Sequence, residues 1–253
     1  MIVDKKEFMD NFRPFLEKKG IVVFSGAGLS TASGIKDFRG KNGFYKENIN
    51  AEEILSHHFL VRNPEEFYKF FRSSLVNENV KPNLMHKVIS NLEKNGIVSG
   101  VITQNIDGLD IMAGSKDVIE IHGNACRFYC MKCKKEYSDI SSFSLVPRCR
   151  CGGMIRPDVV LYEEGLDSSL LMRAREMISE CNCLLVIGSS LKVNPAAALV
   201  YDFIVSKRFD SNKKLFIINM GETEYDDFAD YKYDGDMMDI AKEIDKVYKK
   251  SYI

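Results

Sequence analysis

Four cysteines stand in two close pairs in the middle of the sequence. Cys130 and Cys133 are separated by two residues, Cys149 and Cys151 by one, and fifteen residues lie between the pairs. Two such pairs can supply four thiolates to a tetrahedral zinc ion and close its coordination shell, so the spacing predicts one structural zinc site. The second pair is one residue shorter than usual, which leaves Cys126 open as a substitute ligand.

His122 stands at the end of an apolar run, directly before the cysteine-rich segment. Because four cysteines already complete a zinc shell, His122 is not expected to be a metal ligand. The alternatives are a buried structural histidine and a catalytic base, and an imidazole suits the second role because it titrates near neutral pH. The other histidines, His57, His58 and His86, lie in helical patterns without polar clusters and are interpreted as surface, packing or structural residues.

A glycine turn follows the apolar run "IVVF". Gly26 and Gly28 match the first two glycines of the dinucleotide-binding pattern G-x-G-x-x-G, but Thr31 occupies the third position. Glycines placed in this way let backbone N–H groups approach a pyrophosphate. A plain strand-to-helix turn is the alternative, and the turn alone does not decide between them. "TQNID" stands where a dehydrogenase would carry an acid, so the fit to a hydride-transferring domain is imperfect.

Apolar segments that predict strands alternate with segments of helical periodicity. The predicted strands are 21–28, 98–105, 118–124, 183–190 and 214–220, and the predicted helices are 4–19, 51–60, 64–76, 82–95, 168–180 and 236–250. This alternation predicts an α/β fold, in which helices cover both faces of a parallel sheet.

Small and polar residues gather where these strands end, at Gly26–Ser30, Thr103–Asp107, His122–Asn124, Gly188–Ser190 and Asn219. In open α/β sheets, ligands bind outside the carboxyl ends of the strands. Packing alone does not account for five such ends, so we expect them to converge on one site.

Composition narrows the class of protein. The chain has 253 residues, 35 Lys+Arg against 36 Asp+Glu, and a net charge of −1. This balance gives no reason to expect strong binding to nucleic acid or acidic membranes. The N-terminus lacks a secretory pattern, and no apolar run approaches the roughly 18 residues that span a bilayer. We therefore expect a cytoplasmic monomer with reduced cysteines and neither a stable nucleic-acid partner nor a membrane partner.

Several motifs together resemble the sirtuin family, the NAD-dependent protein deacylases, in its bacterial form. In family order they are "GAGLSTASGIKDFRG" (26–40), "TQNIDGL" (103–109), "HGN" (122–124), the two cysteine pairs, "RPDVV" (156–160), "GSSLKVNPA" (188–196) and "IN" (218–219). The resemblance implies a Rossmann-like NAD-binding domain formed by 1–38, 80–125 and 157–253. It also implies a smaller domain with a helical module, 39–79, and a zinc module, 126–156.

The resemblance implies a reaction and a set of site residues. NAD is consumed as a co-substrate while an acetyl or other neutral acyl group leaves a protein lysine, which gives nicotinamide and O-acetyl-ADP-ribose. His122 is then the base for a ribose hydroxyl, with Asn105 and Phe38 beside the reacting ribose. The implied NAD contacts are Gly26, Ala27, Gly28, Thr31, Phe38, Arg39, Gln104, Asn105, Ile106, Asp107, His122, Gly188, Ser189, Ser190, Asn219, Asp236 and Met237.

The resemblance also implies how the substrate binds. Segments 159–164 and 189–195 would form the two edges between which an acetyl-lysine peptide lies as an added strand. The implied contacts are Val159, Val160, Tyr162, Leu191 and Val193. Glu163 stands where the family usually has glycine, which predicts a preference for basic flanking residues. Tyr68 and Arg72 are one residue too far apart for the family's acid-binding Tyr-x-x-Arg pair, which favours neutral acyl groups.

Two other functions stay open from the sequence. A mono-ADP-ribosyltransferase would use the same NAD site. A zinc-ribbon module that binds nucleic acid would account for the basic residues of "CRFYCMKCKKEY", but it gives the polar strand ends no purpose.

Overall fold

The computed structural model describes residues 1–37, 50–75 and 79–250, the last three of these by their backbone alone. In this part of the chain the strands are β1 (Ile2–Val3), β2 (Ile21–Ser25), β3 (Val98–Thr103), β4 (Val118–Glu120), β5 (Gly123–Cys130), β6 (Glu136–Tyr137), β7 (Ile155–Val159), β8 (Cys183–Ile187), β9 (Lys214–Ile218) and β10 (Tyr231–Tyr233). Seven of them form a parallel sheet in the order β1-β10-β9-β8-β2-β3-β4.

The helices of the described residues are α1 (Lys5–Leu16), α2 (Gly28–Thr31), α3 (Ala51–Ile54), α4 (His57–Arg62), α5 (Pro64–Ser74), α6 (Leu84–Lys94), α7 (Leu109–Met112), α8 (Ser168–Glu180), α9 (Ala196–Lys207) and α10 (Met237–Lys250). Several begin where the sequence supplies a cap, as Asp4, Asn83 and Asp167 do by accepting backbone N–H groups. None of the described helices is long and apolar enough to cross a membrane.

Helices bury both faces of the parallel sheet. On one face Phe8 and Phe12 of α1 pack with Ile240 of α10 and with residues of α6. On the other face Ile178 of α8 and Phe203 of α9 close a second core. The central strands β2 and β8 are buried along their whole length, as their continuous apolar sequences predict. The predicted α/β class is confirmed.

A third core lies beside the large sheet. Strands β6, β5 and β7 form a small antiparallel sheet, and Phe128 and Ile155 of this sheet pack against Leu60, Phe67 and Phe71 of the neighbouring helices. A smaller unit with helices and a cysteine-bearing sheet is therefore present. The residue boundaries given for the two domains stay a prediction.

Some predicted elements were wrong in detail. The predicted strand 118–124 ends at Glu120, and a separate strand, β5, begins at Gly123, so His122 lies in the turn between them. The predicted helix 51–60 is divided into α3 and α4, because Ser56 caps the second of them by accepting the Phe59 N–H. Helix α9 was not predicted. Apolar residues also occupy its less buried side, at Ala198 and Val205, which weakens the periodicity that reveals a helix.

Candidate active site

A cleft with a volume of about 580 Å³ lies at the carboxyl edge of the parallel sheet. Because all seven strands run in one direction, the turns after β2, β3, β4, β8 and β9 reach this edge together. The predicted site residues that line the cleft are Ala27, Gly28, Gln104, Asn105, Ile106, His122, Val159, Val160, Tyr162, Gly188, Ser189, Ser190, Leu191, Val193 and Asn219. The expected convergence of five strand ends is confirmed.

The glycine turn after β2 packs directly on the turn after β8. The Gly28 N–H donates to the Gly188 carbonyl oxygen at 2.8 Å. A Cβ atom on Gly28 would lie 2.7 Å from the Gly188 Cα, and one on Gly26 would lie 2.8 Å from the Ser189 Cβ. Gly188 also has a φ of +64°, in the left-handed region that favours glycine. Two backbones therefore meet here without side chains, and they form a glycine cradle that a phosphate can approach closely.

His122 is held in one orientation at the cleft. Its Nδ1 lies 2.9 Å from the Gln104 carbonyl oxygen. A carbonyl oxygen can only accept a hydrogen bond, so the ring carries its proton on Nδ1, and the lone pair of the neutral imidazole is on Nε2. The main chain of His122 also accepts the Val160 N–H at 3.0 Å. The turn that holds the ring is thus joined to the segment after β7, which also lines the cleft.

Two amide side chains after β3 form the polar floor of the cleft. The Asn105 Nδ2 donates to the Gly26 carbonyl oxygen at 3.1 Å, and the Ser189 hydroxyl donates to the Gln104 Oε1 at 3.2 Å. The Gln104 Nε2 is buried and has no hydrogen-bond partner among the described residues. A buried donor without a partner is costly, so this atom marks a place for a polar ligand. Together with the glycine cradle, it fits a dinucleotide such as NAD.

Asp107 is half-buried and does not line the cleft. Its carboxylate accepts the Ser30 hydroxyl at 2.6 Å and the Leu109 N–H at 2.9 Å. Burial raises the pKa of Asp107, and these two hydrogen bonds oppose that rise. Asp110 is buried beside it, and burial together with the Asp107 charge raises the pKa of Asp110 to about 7.

The remaining predicted NAD residues in the described part of the chain do not line the cleft. Gly26 and Thr31 do not line the cleft, and the Thr31 hydroxyl donates to the Gly28 carbonyl oxygen. Asp236 is exposed and accepts the Met238 N–H, while Met237 is buried in the core with α1 and α6. Phe38 and Arg39 are outside the described residues. The roles given to all these residues stay predictions.

Two loops face each other across the outer part of the cleft. Residues 159–166 continue from β7 and form one wall, and residues 189–195 lead from β8 to α9 and form the other. The first wall is braced from behind, because the Tyr162 N–H donates to the Leu55 carbonyl oxygen at 3.0 Å and the Tyr162 carbonyl oxygen accepts the His57 N–H at 3.1 Å. The predicted substrate residues lie on these walls.

The helices of the smaller unit add an apolar lining that the sequence reasoning missed, formed by Leu55, Phe71 and Leu75. Helical spacing from Phe67 to Phe71 and Leu75 was the available signal. Tyr68 and Arg72 do not line the cleft. The Tyr68 hydroxyl donates to the Ile155 carbonyl oxygen, and burial raises the Tyr68 pKa well above its usual value. The Arg72 guanidinium donates to the Ile140 and Ser144 carbonyl oxygens.

The four paired cysteines form one cluster at the end of strand β5. The sulfurs of Cys130, Cys133, Cys149 and Cys151 all lie within 4.8 Å of one another. Four thiolates at this separation suit a tetrahedral zinc ion. Gly153 makes room for the cluster, because a Cβ atom there would lie 2.6 Å from the Cys130 sulfur. Cys126 is not part of the cluster, so the four-cysteine ligand set is favoured over the alternative with Cys126.

The parallel sheet, the glycine cradle at its carboxyl edge and the polar floor define a dinucleotide-binding α/β protein that also carries a cysteine metal centre. Comparisons with known proteins agree with this class. A family model described as the Sir2 family matches residues 26–195. The chain belongs to the Sir2 family, the sirtuins.

The relatives are similar along most of their length. The chain is 44% identical over 222 residues to a protein of Clostridium acetobutylicum named NAD-dependent protein deacetylase. The match covers 85% of this chain and 88% of the relative. It is 41% identical over 246 residues to the protein of that name from Thermotoga maritima, and this match covers 94% of the chain and 96% of the relative. A solved structure of Sir2 with a p53 peptide and NAD⁺ superposes with a TM-score of 0.83 at 38% identity, covering 95% of this chain and 98% of that one.

Proposed function

We propose that this chain is an NAD-dependent protein-lysine deacetylase, which removes acetyl groups from protein lysines and releases nicotinamide and O-acetyl-ADP-ribose. The observation that carries the proposal is the position of His122. Its ring is fixed by the Gln104 carbonyl oxygen inside a cleft that has the glycine cradle on one side and the two facing loops on the other. The names of the relatives and the NAD and peptide of the similar structure support the same activity.

The side chains have separate tasks in this reaction. NAD supplies the ribose carbon that loses nicotinamide and accepts the acyl oxygen, and one water molecule is consumed as the lysine amine is released. His122 takes a proton from a ribose hydroxyl at Nε2, since its Nδ1 proton is held by the Gln104 carbonyl oxygen. Asn105 is fixed by its bond to the Gly26 carbonyl oxygen and presents a polar group beside the ribose. Phe38 is assigned by its sequence motif to shielding that ribose from water.

The rest of the cleft binds and orients the dinucleotide. The backbone of Gly26, Ala27 and Gly28, with Thr31, suits the pyrophosphate, and Arg39 is a further cofactor contact from its motif. Asp107 with the backbone of Ile106 is assigned to the nicotinamide carboxamide. The residues assigned to the phosphates, the riboses and the adenine are Gln104, Gly188, Ser189, Ser190, Asn219, Asp236 and Met237.

An acetyl-lysine peptide would enter as a strand between the two loops. Main-chain hydrogen bonds to residues 159–164 and 189–195 would give affinity with little demand on sequence. Val159, Val160, Leu191 and Val193 would surround the lysine stem and its acyl group, with Tyr162 at the outer rim. A neutral acyl group fits this lining, because Tyr68 and Arg72 are bonded to carbonyl oxygens away from the cleft.

Zinc would have a structural task. Cys130, Cys133, Cys149 and Cys151 would hold it with all four positions filled by protein, so the ion has no open position for a substrate. Activity as a cytoplasmic monomer, without nucleic acid or membrane partners, stays a prediction from the sequence.

The deciding experiment incubates the purified chain with NAD and an acetyl-lysine peptide, and follows the products by mass spectrometry. Nicotinamide, free lysine peptide and O-acetyl-ADP-ribose are expected in equal amounts. The variant His122→Ala is expected to keep its zinc and its fold but to form no O-acetyl-ADP-ribose. Transfer of labelled ADP-ribose to protein without lysine release would indicate an ADP-ribosyltransferase, and salt-sensitive nucleic-acid binding without NAD consumption would indicate a binding module.

A further inference from the structure

Residues 162–164 belong to the cleft wall formed by residues 159–166, and they are bonded to the start of helix α4. Ser56 and Tyr162 form an isolated parallel bridge, in which both main-chain hydrogen-bonding groups of Tyr162 are used. The next two residues of the wall, Glu163 and Glu164, each reach a histidine at the start of the helix. The conformation of this wall is therefore set by contacts behind it, from a segment about a hundred residues earlier in the chain.

Glu163 is in an unfavourable backbone conformation. Its φ is +76°, in the left-handed region that a residue with a Cβ adopts at an energetic cost. The carboxylate is captured by one residue, since Oε2 accepts the His58 N–H at 3.1 Å and Oε1 lies 2.7 Å from the His58 Nδ1. These two contacts hold the side chain in place and stabilise the conformation that the backbone alone disfavours.

Glu164 is held differently, although it neighbours Glu163. Its carboxylate forms a two-pronged pair with Arg156, accepts the Leu161 N–H at 2.8 Å and lies 2.8 Å from the His57 Nδ1. Burial acts to raise the pKa of Glu164, but the bonds from Arg156, Leu161 and His57 lower it to about 2. Loss of His57 would leave Glu164 with most of its partners. The two adjacent histidines are thus unequal, because only Glu163 depends on a single partner residue.

We propose that His58, acting through Glu163, is a positioning residue for the peptide substrate. The contact keeps residues 162–164 in the conformation that the edge of an incoming peptide strand meets. Neither residue is a catalytic residue, since His58 acts only by fixing the wall. This inference rests on the deacetylase function proposed above, and it assigns to one exposed histidine a part of the peptide affinity.

The test is a steady-state kinetic comparison of the variant His58→Ala with the wild-type protein. The expected result is a rise in the peptide KM of about threefold to fivefold, the range that the loss of one exposed hydrogen bond to a carboxylate supports. The kcat and the KM for NAD are expected to stay unchanged, because the contact lies behind the peptide wall and not at the glycine cradle. His58→Asn, which can place an amide N–H near the position of Nδ1, is expected to recover part of the loss.

Two further variants separate positioning from general stability. His57→Ala is the matched control, and its peptide KM is expected to match that of the wild type because Arg156 still holds Glu164. In a Glu163→Gly background, His58→Ala is expected to change nothing further, since the carboxylate through which His58 acts is gone. Both histidines are about half exposed, so thermal unfolding of these variants is expected to resemble that of the wild type.

The outcomes are distinguishable. An unchanged peptide KM in His58→Ala, or an equal rise in the Glu163→Gly background, would overturn the inference and leave the deacetylase function standing. A rise in both KM values together with a lower unfolding temperature would show a structural role instead, and would also overturn it. A wild-type protein without NAD-dependent lysine release would overturn the proposed function and this inference together.

Discussion

His86 is a buried histidine in α6 whose two ring nitrogens have no hydrogen-bond partner among the described residues. Burial lowers its pKa from 6.5 to about 4. Between pH 6.5 and about pH 4 the unfolded chain binds a proton at this residue and the folded chain does not. The contribution of neutral His86 to the free energy of unfolding is therefore fully present above about pH 6.5 and falls as the pH drops towards 4. We expect this residue alone to lower the free energy of unfolding by roughly 2–3 kcal/mol as the pH falls from the neutral range to the pKa of the folded state.

The measurement is urea unfolding of the wild type and of His86→Leu at neutral pH and at about pH 4. The variant lacks the titrating group, so its acid sensitivity is expected to be smaller by the amount that His86 contributes. Ser90→Ala, one helical turn away on the same buried face, is the control, because it removes an unpaired polar atom without removing a titratable group. Equal acid sensitivity in the wild type and His86→Leu would refute the assignment.

Single residues were predictable where a local motif carries the chemistry. His122 and the glycines of the cradle follow strands in recognisable patterns, and the structure brings them to one cleft. His57 and His58 were interpreted as surface or packing residues, although they bond to Glu164 and Glu163. Those partners are more than a hundred residues away in the sequence, so no local pattern could reveal them.

At the scale of elements, one buried lysine fixes the loop between β9 and β10. Lys232 of β10 is 1% exposed, and its Nζ donates to the Gly221 carbonyl oxygen and to the Asp226 carboxylate. The part of the loop from the end of β9 to Asp226 carries Asn219, Met220 and Glu222, which line the cleft. Since Asn219 is assigned to the dinucleotide, the lysine would act on NAD binding from behind the loop.

The variant Lys232→Met leaves Asp226 without its cation, and we expect it to raise the KM for NAD by about tenfold while lowering stability by about 3 kcal/mol. Kinetics at saturating peptide and thermal unfolding measure the two effects. Lys213→Met is the matched control, because the Lys213 Nζ is bonded to the Ser179 carbonyl oxygen and does not contact this loop. The double variant Lys232→Met, Asp226→Asn removes the unpaired charge, so it should recover stability. A lower stability with an unchanged KM for NAD would contradict the proposed effect.

Strands and helices were predictable where they have a clear period. The strands β2, β3, β8 and β9 and the helices α1, α6, α8 and α10 lie within their predicted ranges. The edge strand β1 and its neighbour β10 were missed because two or three residues are too few to show an alternation. The division of 118–124 depends on Gly123, which has a φ of +79° and pairs with Val159 of β7, a partner that only the folded chain supplies.

In the whole molecule, the cysteine cluster and the cleft are joined by two strands of the small sheet. Strand β5 begins directly after His122 and ends at Cys130, and β7 begins close after Cys151 and ends at Val159 on the cleft wall. The two strands pair at both ends, Gly123 with Val159 and Cys130 with Ile155. A disturbance at the metal centre is therefore expected to reach the peptide wall before it reaches the parallel sheet.

Zinc removal tests this connection. The variant Cys149→Ser is expected to lose zinc, to unfold at a lower temperature and to lose about tenfold or more in kcat/KM for the acetyl-lysine peptide, because structural zinc contributes directly to folding. NAD binding measured by calorimetry should fall less, since most of its residues follow strands of the parallel sheet. Cys126→Ser, which lies outside the cluster, is the control and should keep one zinc per chain. Full peptide activity in zinc-free Cys149→Ser protein would show that the cluster does not support the wall.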